Sequence, residues 1–328
     1  MSDFHVVPGP AVAAIIAEDP ARLRRIAIDT YRTHEQGRTV NPDSYFLRFP
    51  DRPDSRVIAL PAYHGGEVDR IGVKWISSFP ANLQAGLPRA SAVLILNDYE
   101  TGRPIACLEA AGISAARTAA SAAVAAEALG GSGPRSVSVV GAGPIARAVL
   151  AQIADTGIDI TELSCFDLDR ERALSLLDDA AEITDAARRP ARDLADACTS
   201  DLVVFATTAA KPYVPADTPF RPGQLLLNVS LRDLAPETIL QAANFVDDVD
   251  HCLKADTSPH LAEQLTGGRE FITGTIGAVL AGDVEPVGDR PIIFSPFGLG
   301  VLDIAVGSHV LDEAVRRGTA VPIPSFFA

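Results

Sequence analysis

The stretch Ser136-Val-Ser-Val-Val140-Gly141-Ala-Gly143-Pro144-Ile145-Ala146-Arg-Ala-Val-Leu150 decides the fold. A β-branched run ends at a G-x-G-x-x-A turn, and helix-forming residues follow directly. Gly141 permits the tight turn, Gly143 lets backbone approach a pyrophosphate, and Ala146 keeps helix and strand close. The helix N-terminus then faces the anion. Pro144 fits because the first helical turn needs no N–H there. About twenty-five residues on, the run Leu163 to Phe166 ends at Asp167, where a carboxylate can accept from ribose hydroxyls. That favours NAD, while Arg170 and Arg172 keep NADP open as the acceptor of a 2′-phosphate. Ile145, in the first helical turn, and Thr207, just past the apolar run Leu202 to Ala206, complete the expected cofactor set.

Outward from this turn the chain reads as two architectures. Downstream, short apolar runs (Val137 to Val140, Leu163 to Phe166, Leu202 to Ala206, Leu225 to Val229, Phe245 to Val246) alternate with helical stretches, the signature of a doubly wound parallel sheet. Upstream lies a helix near Pro20 to Gln36. Strand-like runs then follow at Tyr45 to Phe49, Arg56 to Tyr63, Ile71 to Ser77, Ala92 to Asn97 and Pro104 to Glu109. Asn97 to Gly102 reads as a hairpin connection, so this part is a mostly antiparallel α+β sheet. The Ala-rich helix Ser114 to Leu129, stopped by Gly130, Gly131 and Gly133 before Pro134, carries the boundary. Leu299 to Arg316 has helical spacing but no evident place. The fold class is therefore α/β, with a Rossmann NAD-binding domain beyond the Ala-rich helix and an α+β part before it.

Composition narrows the function. With 328 residues, 47% apolar and 21% charged, the chain is long enough for a large core. Its net charge of −14 repels a phosphate backbone, which argues against nucleic acid. The opening MSDFHVVPGP lacks a basic leader, and Ala11 to Ala17 is too short to span a bilayer, so a cytoplasmic protein without a membrane partner is expected. Cys107, Cys165, Cys198 and Cys252 are scattered, and His251 and His260 form no ligand pattern, so no metal is expected.

Further segments carry a resemblance: Gly72-Val-Lys74-Trp-Ile76, Val93 to Asp98, Thr101-Gly-Arg-Pro104, Ser114-Ala-Ala-Arg117-Thr-Ala-Ala120, Asn228 to Asp233 and Phe297-Gly-Leu-Gly-Val-Leu-Asp303. Together with the glycine turn they resemble the ornithine cyclodeaminase/mu-crystallin family over nearly the whole chain. Ser44 to Pro50, Ile58 to Tyr63, Lys74 to Pro80 and Pro88 to Gly102 are most similar to one branch, the dehydrogenases acting on N-(2-amino-2-carboxyethyl)-L-glutamate. The resemblance implies NAD-dependent oxidative cleavage to 2-oxoglutarate and L-2,3-diaminopropionate, a building block of siderophores and peptide antibiotics. It also implies a homodimer and a last helix packed on the N-terminal domain, so that 1–118 and 301–328 form the α+β substrate-binding and dimerisation domain and 119–300 the Rossmann NAD-binding domain. Ornithine cyclodeaminase, a ketimine or opine-type reductase, and a non-catalytic mu-crystallin-like binding protein are the competing readings.

By resemblance, Arg48, Lys74 and Arg117 face the small amino-acid substrate. Arg48 suits a bidentate carboxylate contact, and Arg117 could bridge substrate and cofactor pyrophosphate. Lys74 lies in an apolar strand run, where burial beside two arginines would depress its pKa and make it a proton acceptor. The plainer reading turns Lys74 outward and Trp75 inward. Asp233 matches the family's catalytic aspartate, although Ser230, Leu231 and Arg232 stand where cyclodeaminases are richer in glycine. Its alternative is a loop-stabilising carboxylate that caps the following helix.

Overall fold

A computed structural model describes residues 4–131, 133, 135–286 and 288–327. The chain divides into two compact units, one of Met1–Arg117 with Leu299–Ala328 and one of Thr118–Gly298. Pro134, read above as following the helix stop, lies outside the described residues.

The first unit begins with β1 (Phe4–Val7), α1 (Gly9–Glu18) and α2 (Pro20–Glu35). There follow β2 (Thr39–Val40), β3 (Tyr45–Phe49), β4 (Arg52–His64), β5 (Arg70–Ser78), β6 (Ala90–Asp98) and β7 (Pro104–Glu109). Helix α2 starts where Asp19 accepts from the Arg22 amide and Pro20 takes the first turn. β4, β5, β6 and β7 form antiparallel neighbours, as their alternating patterns predict. β1 departs from that expectation by pairing parallel with β7. In β6, Leu94 and Leu96 point inward while Val93 faces out, the two-residue period of a sheet with one covered face. α3 (Ala111–Gly130) follows, and the division between the units falls inside it, after Arg117. The helix ends with Gly131 in the left-handed region, at φ 71°.

The second unit contains β8 (Arg135–Val140), α4 (Pro144–Ala154), β9 (Ile160–Phe166), α5 (Arg170–Asp179), β10 (Ala187–Pro190), α6 (Leu194–Ala197), β11 (Leu202–Phe205) and β12 (Leu225–Asn228). It continues with α7 (Pro236–Leu240), β13 (Ala243–Val246), α8 (Val249–Cys252), α9 (Ser258–Thr266), β14 (Ile272–Thr275), α10 (Ile276–Ala281) and β15 (Ile292–Ser295). The strand order is β10-β9-β8-β11-β12-β15-β13-β14, with every pairing parallel. β11 and β12 are buried at every position, because a parallel sheet is covered on both faces. The order runs outward in opposite directions from β8 and β11. This is the Rossmann arrangement, with its crevice at the carboxyl ends of those two strands.

The chain closes in the first unit with α11 (Gly300–Arg316) and β16 (Val321–Ile323), which pairs antiparallel with β1. α11 is the helix that residue spacing alone leaves unplaced and that the resemblance puts on the N-terminal domain. It packs on β4, β5 and β6 and against α2. Gly72 and Gly307 allow the close approach: a Cβ at Gly72 would stand 2.6 Å from Ile304 Cδ1, and one at Gly307 would collide with Leu94. Among the described residues, no helix is long and apolar enough to cross a membrane.

Candidate functional site

The glycine turn lies at the carboxyl end of β8. Gly141 has φ 96°, and a Cβ there would come within 2.6 Å of the Ala206 carbonyl oxygen, so only glycine fits without displacement. Gly143 is extended and caps α4, with Pro144 entering the first turn. A Cβ built on Gly143 meets nothing within 4 Å, so the space before the helix terminus is open on that side. The first amides of an α-helix have no carbonyl one turn back, and together with the helix dipole they suit an anion. Ala146 is fully buried against the sheet. The Asp167 carboxylate accepts from Ala142 N (2.7 Å) and from Asp169 N (3.0 Å), tying the end of β9 to the turn.

On the other side of the crevice, Thr207 follows β11. Its hydroxyl donates to Asp233 Oδ1 at 2.5 Å, while the Ser230 hydroxyl donates to Asp233 Oδ2. Asp233 is fully buried, and its main-chain carbonyl accepts from Tyr213 N and Val214 N. Burial, followed by the nearby Asp233 charge, pushes the Tyr213 phenol well above its usual range. Asp233 thus ties together the loops after β11 and β12, but it does not cap the following helix: the N-cap of α7 is Ala235, with no side-chain cap.

In the first unit, Lys74 points inward from β5 and is 1% exposed, whereas Trp75 is 46% exposed. The outward reading of Lys74 is therefore reversed. Lys74 Nζ donates to Asp303 Oδ2 (2.7 Å) and to Ser114 Oγ (3.1 Å), while Arg117 Nε donates to Asp303 Oδ1 at 3.3 Å. Asp303 is fully buried on α11. Loss of hydration and the Arg117 charge push the Lys74 ammonium from 10.5 down to about 8, against the pull of Asp303.

Of the two arginines expected beside Lys74, the structure brings in only Arg117. Arg48 is exposed on β3, its guanidinium 5.3 Å from the Phe46 ring centre. The register Arg48↔Arg56↔Ser78 puts it on the same sheet face as Lys74, but four residues along β5, roughly 13 Å at the usual rise per residue.

The sequence profile of the ornithine cyclodeaminase/mu-crystallin family matches residues 22–318. The chain belongs to that family. Within it, the N-((2S)-2-amino-2-carboxyethyl)-L-glutamate dehydrogenase of Staphylococcus aureus is 29% identical over 271 residues, covering 80% of each chain. The alanine dehydrogenase of Archaeoglobus fulgidus is 28% identical over 309 residues, covering 91% of this chain and 92% of its own. Among solved structures, CmnK superposes with a TM-score of 0.86 at 30% identity over the whole of both chains. An archaeal alanine dehydrogenase dimer with bound NAD superposes with a TM-score of 0.88 at 25% identity, covering 99% of this chain and 100% of its own.

Asp303 was missed as a site residue, although the stretch containing it carried the resemblance. The signal was available: it is a lone carboxylate among Val301, Leu302, Ile304, Ala305 and Val306, and a buried carboxylate needs a partner. Asp247 was missed too. It is fully buried, accepts from Phe297 N (2.9 Å) and Gly298 N (2.7 Å), and shapes the segment that precedes α11.

Proposed function

We propose that this family member is an NAD-dependent dehydrogenase that cleaves N-(2-amino-2-carboxyethyl)-L-glutamate. The products are 2-oxoglutarate and L-2,3-diaminopropionate, the latter for siderophore or peptide-antibiotic assembly. The observation that carries the chemistry is a lysine buried between a carboxylate and an arginine, with a pKa brought to about 8. Such a lysine is partly uncharged near neutral pH and can accept a proton. The choice of substrate rests on the segments Ser44 to Pro50 and Pro88 to Gly102 and on the Staphylococcus aureus relative.

The residues of the second unit fit the cofactor. Gly141, Gly143, Pro144, Ile145 and Ala146 would hold the pyrophosphate, Asp167 the adenosine ribose, and Thr207 the crevice opposite. Bound there, NAD would supply the hydride acceptor, and loss of hydride from its glutamate-side Cα turns the substrate amine into an imine. Arg48 takes one substrate carboxylate in bidentate fashion, and Arg117, its Nε held by Asp303, meets another. Lys74 takes the proton of the secondary ammonium, freeing the nitrogen lone pair. After water adds to the resulting imine, the same side chain returns a proton to the departing amine. One substrate, one NAD⁺ and one water thus give 2-oxoglutarate, the primary amine, NADH and a proton. Asp233 braces the hydroxyls of Thr207 and Ser230, and we assign it that holding role in place of proton transfer.

The dimer belongs to the same reading. Tyr45, Ala59, Trp75 and Val93 lie in register across β3, β4, β5 and β6, on the sheet face opposite Lys74. Three of them are large and exposed, and a second copy covering this face by two-fold symmetry removes them from water.

The test is purified protein with NAD and N-(2-amino-2-carboxyethyl)-L-glutamate, comparing wild type with Lys74→Gln. Wild type should release NADH and 2-oxoglutarate together, and the variant neither. Full turnover by Lys74→Gln at saturating substrate would remove Lys74 from the mechanism.

A further inference from the structure

We propose that Asp303 is the positioning residue of this site, its two carboxylate oxygens holding Lys74 and Arg117 at a set spacing and supplying the counter-charge that keeps both cations buried. The inference rests on Lys74 being the proton acceptor proposed above. Three strands of geometry support it. Asp303 binds each cation with a different oxygen, Lys74 Nζ at 2.7 Å and Arg117 Nε at 3.3 Å. The three side chains come from different elements, β5, α3 and α11, so nothing local in the chain fixes their spacing. Gly300, Asp303, Ile304 and Gly307 repeat at three- and four-residue intervals along one face of α11. The two glycines lie against Ala62 and Leu94, bringing that face close enough to the sheet for Asp303 to reach Lys74.

The charges around Lys74 are few, so the effect of Asp303 has a definite sign. Leu60 on β4 and Leu94 on β6 flank Lys74 in the sheet and carry no charge. α3 contributes Arg117 and the neutral Ser114, and α11 contributes Asp303. Desolvation and Arg117 drive the ammonium toward its neutral form, and Asp303 alone opposes them. Removing the Asp303 charge therefore leaves Lys74 easier to deprotonate. It also frees the two cations from a common anchor.

The experiment is the pH profile of kcat at saturating substrate and NAD for wild type, Asp303→Asn, Asp303→Glu and Lys74→Gln, with circular dichroism as the check on folding. In wild type, activity rises with pH through the deprotonation of Lys74. Asp303→Asn is expected to shift that rising limb to lower pH by at least about one unit and to lower kcat about tenfold or more. Asp303→Glu keeps the charge but displaces it by one methylene, so its limb should stay in place while kcat falls. If Asp303→Asn does not fold, the Glu variant decides: an unchanged kcat overturns the proposal. An unmoved or raised limb in folded Asp303→Asn overturns it as well. Lys74→Gln separates the two layers of the argument. A rising limb that survives in Lys74→Gln removes the reading of Lys74, whereas a limb lost there but unmoved in Asp303→Asn removes only the role of Asp303.

Discussion

Replacing Lys74 by Met should change how stability depends on pH, and the size of the effect follows from burial. Folded Lys74 loses its proton near pH 8, while the unfolded side chain holds one up to about its ordinary value of 10.5. Below pH 8 both states are protonated, and the folded state bears the cost of a desolvated ammonium beside Arg117. Between about 8 and 10.5 unfolding takes up a proton, so this group makes stability rise with pH by ~1.4 kcal/mol per pH unit, or about 3 kcal/mol over the interval. Above 10.5 the contribution is constant. Urea titrations from pH 7.5 to 11, followed by the fluorescence of Trp75, the only tryptophan of the chain, report on the unit that contains Lys74. The difference between wild type and Lys74→Met should climb by about 3 kcal/mol across that range, because titrations common to both cancel. A difference flat to within about 1 kcal/mol would mean that Lys74 titrates alike folded and unfolded, and the account of its burial would fail.

Other expectations follow from the same geometry. Gly143→Ala places its methyl in open space, so thermal stability should hold while NAD affinity measured by calorimetry falls. Gly141→Ala should lower both, its left-handed backbone alone costing about 1–2 kcal/mol. Asp167→Asn keeps an oxygen for the Ala142 amide but loses its charge, so steady-state kinetics should show the preference for NAD over NADP narrowing about tenfold, as for ~1.4 kcal/mol. Trp75→Glu puts a charge in the exposed apolar row, and light scattering should find monomers; an unchanged dimer would place the contact elsewhere.

Legibility in the sequence followed the range of the interactions. The Gly141 turn could be read because strand, turn and helix are consecutive, and the central strands because burial on both faces makes continuous apolar runs. β10 and β14 escaped notice because they are sheet edges: Ala187-Arg-Arg-Pro190 is polar, and Ile272-Thr-Gly-Thr275 is short and interrupted by glycine. β1 and β16 are short strands that meet only on folding. The Lys74 site was half legible. An ammonium in an apolar run announces a buried charge, but its partner lies 229 residues away on a helix whose position no local pattern reveals. Arg48 was grouped with Lys74 on resemblance, and only the strand register shows how far along the sheet it stands. Asp233 was recognisable as important, but its engagement by Thr207 and Ser230 depends on loops from two strands meeting.

The central claim is that Lys74 works as a proton acceptor in the oxidative cleavage of a secondary amine. The most direct measurement follows NADH and 2-oxoglutarate together when the purified protein meets NAD and N-(2-amino-2-carboxyethyl)-L-glutamate. The account predicts one 2-oxoglutarate per NADH, with the rate rising through the Lys74 titration. Proline and ammonia formed from ornithine without net NADH, in a protein silent toward the first substrate, would contradict it.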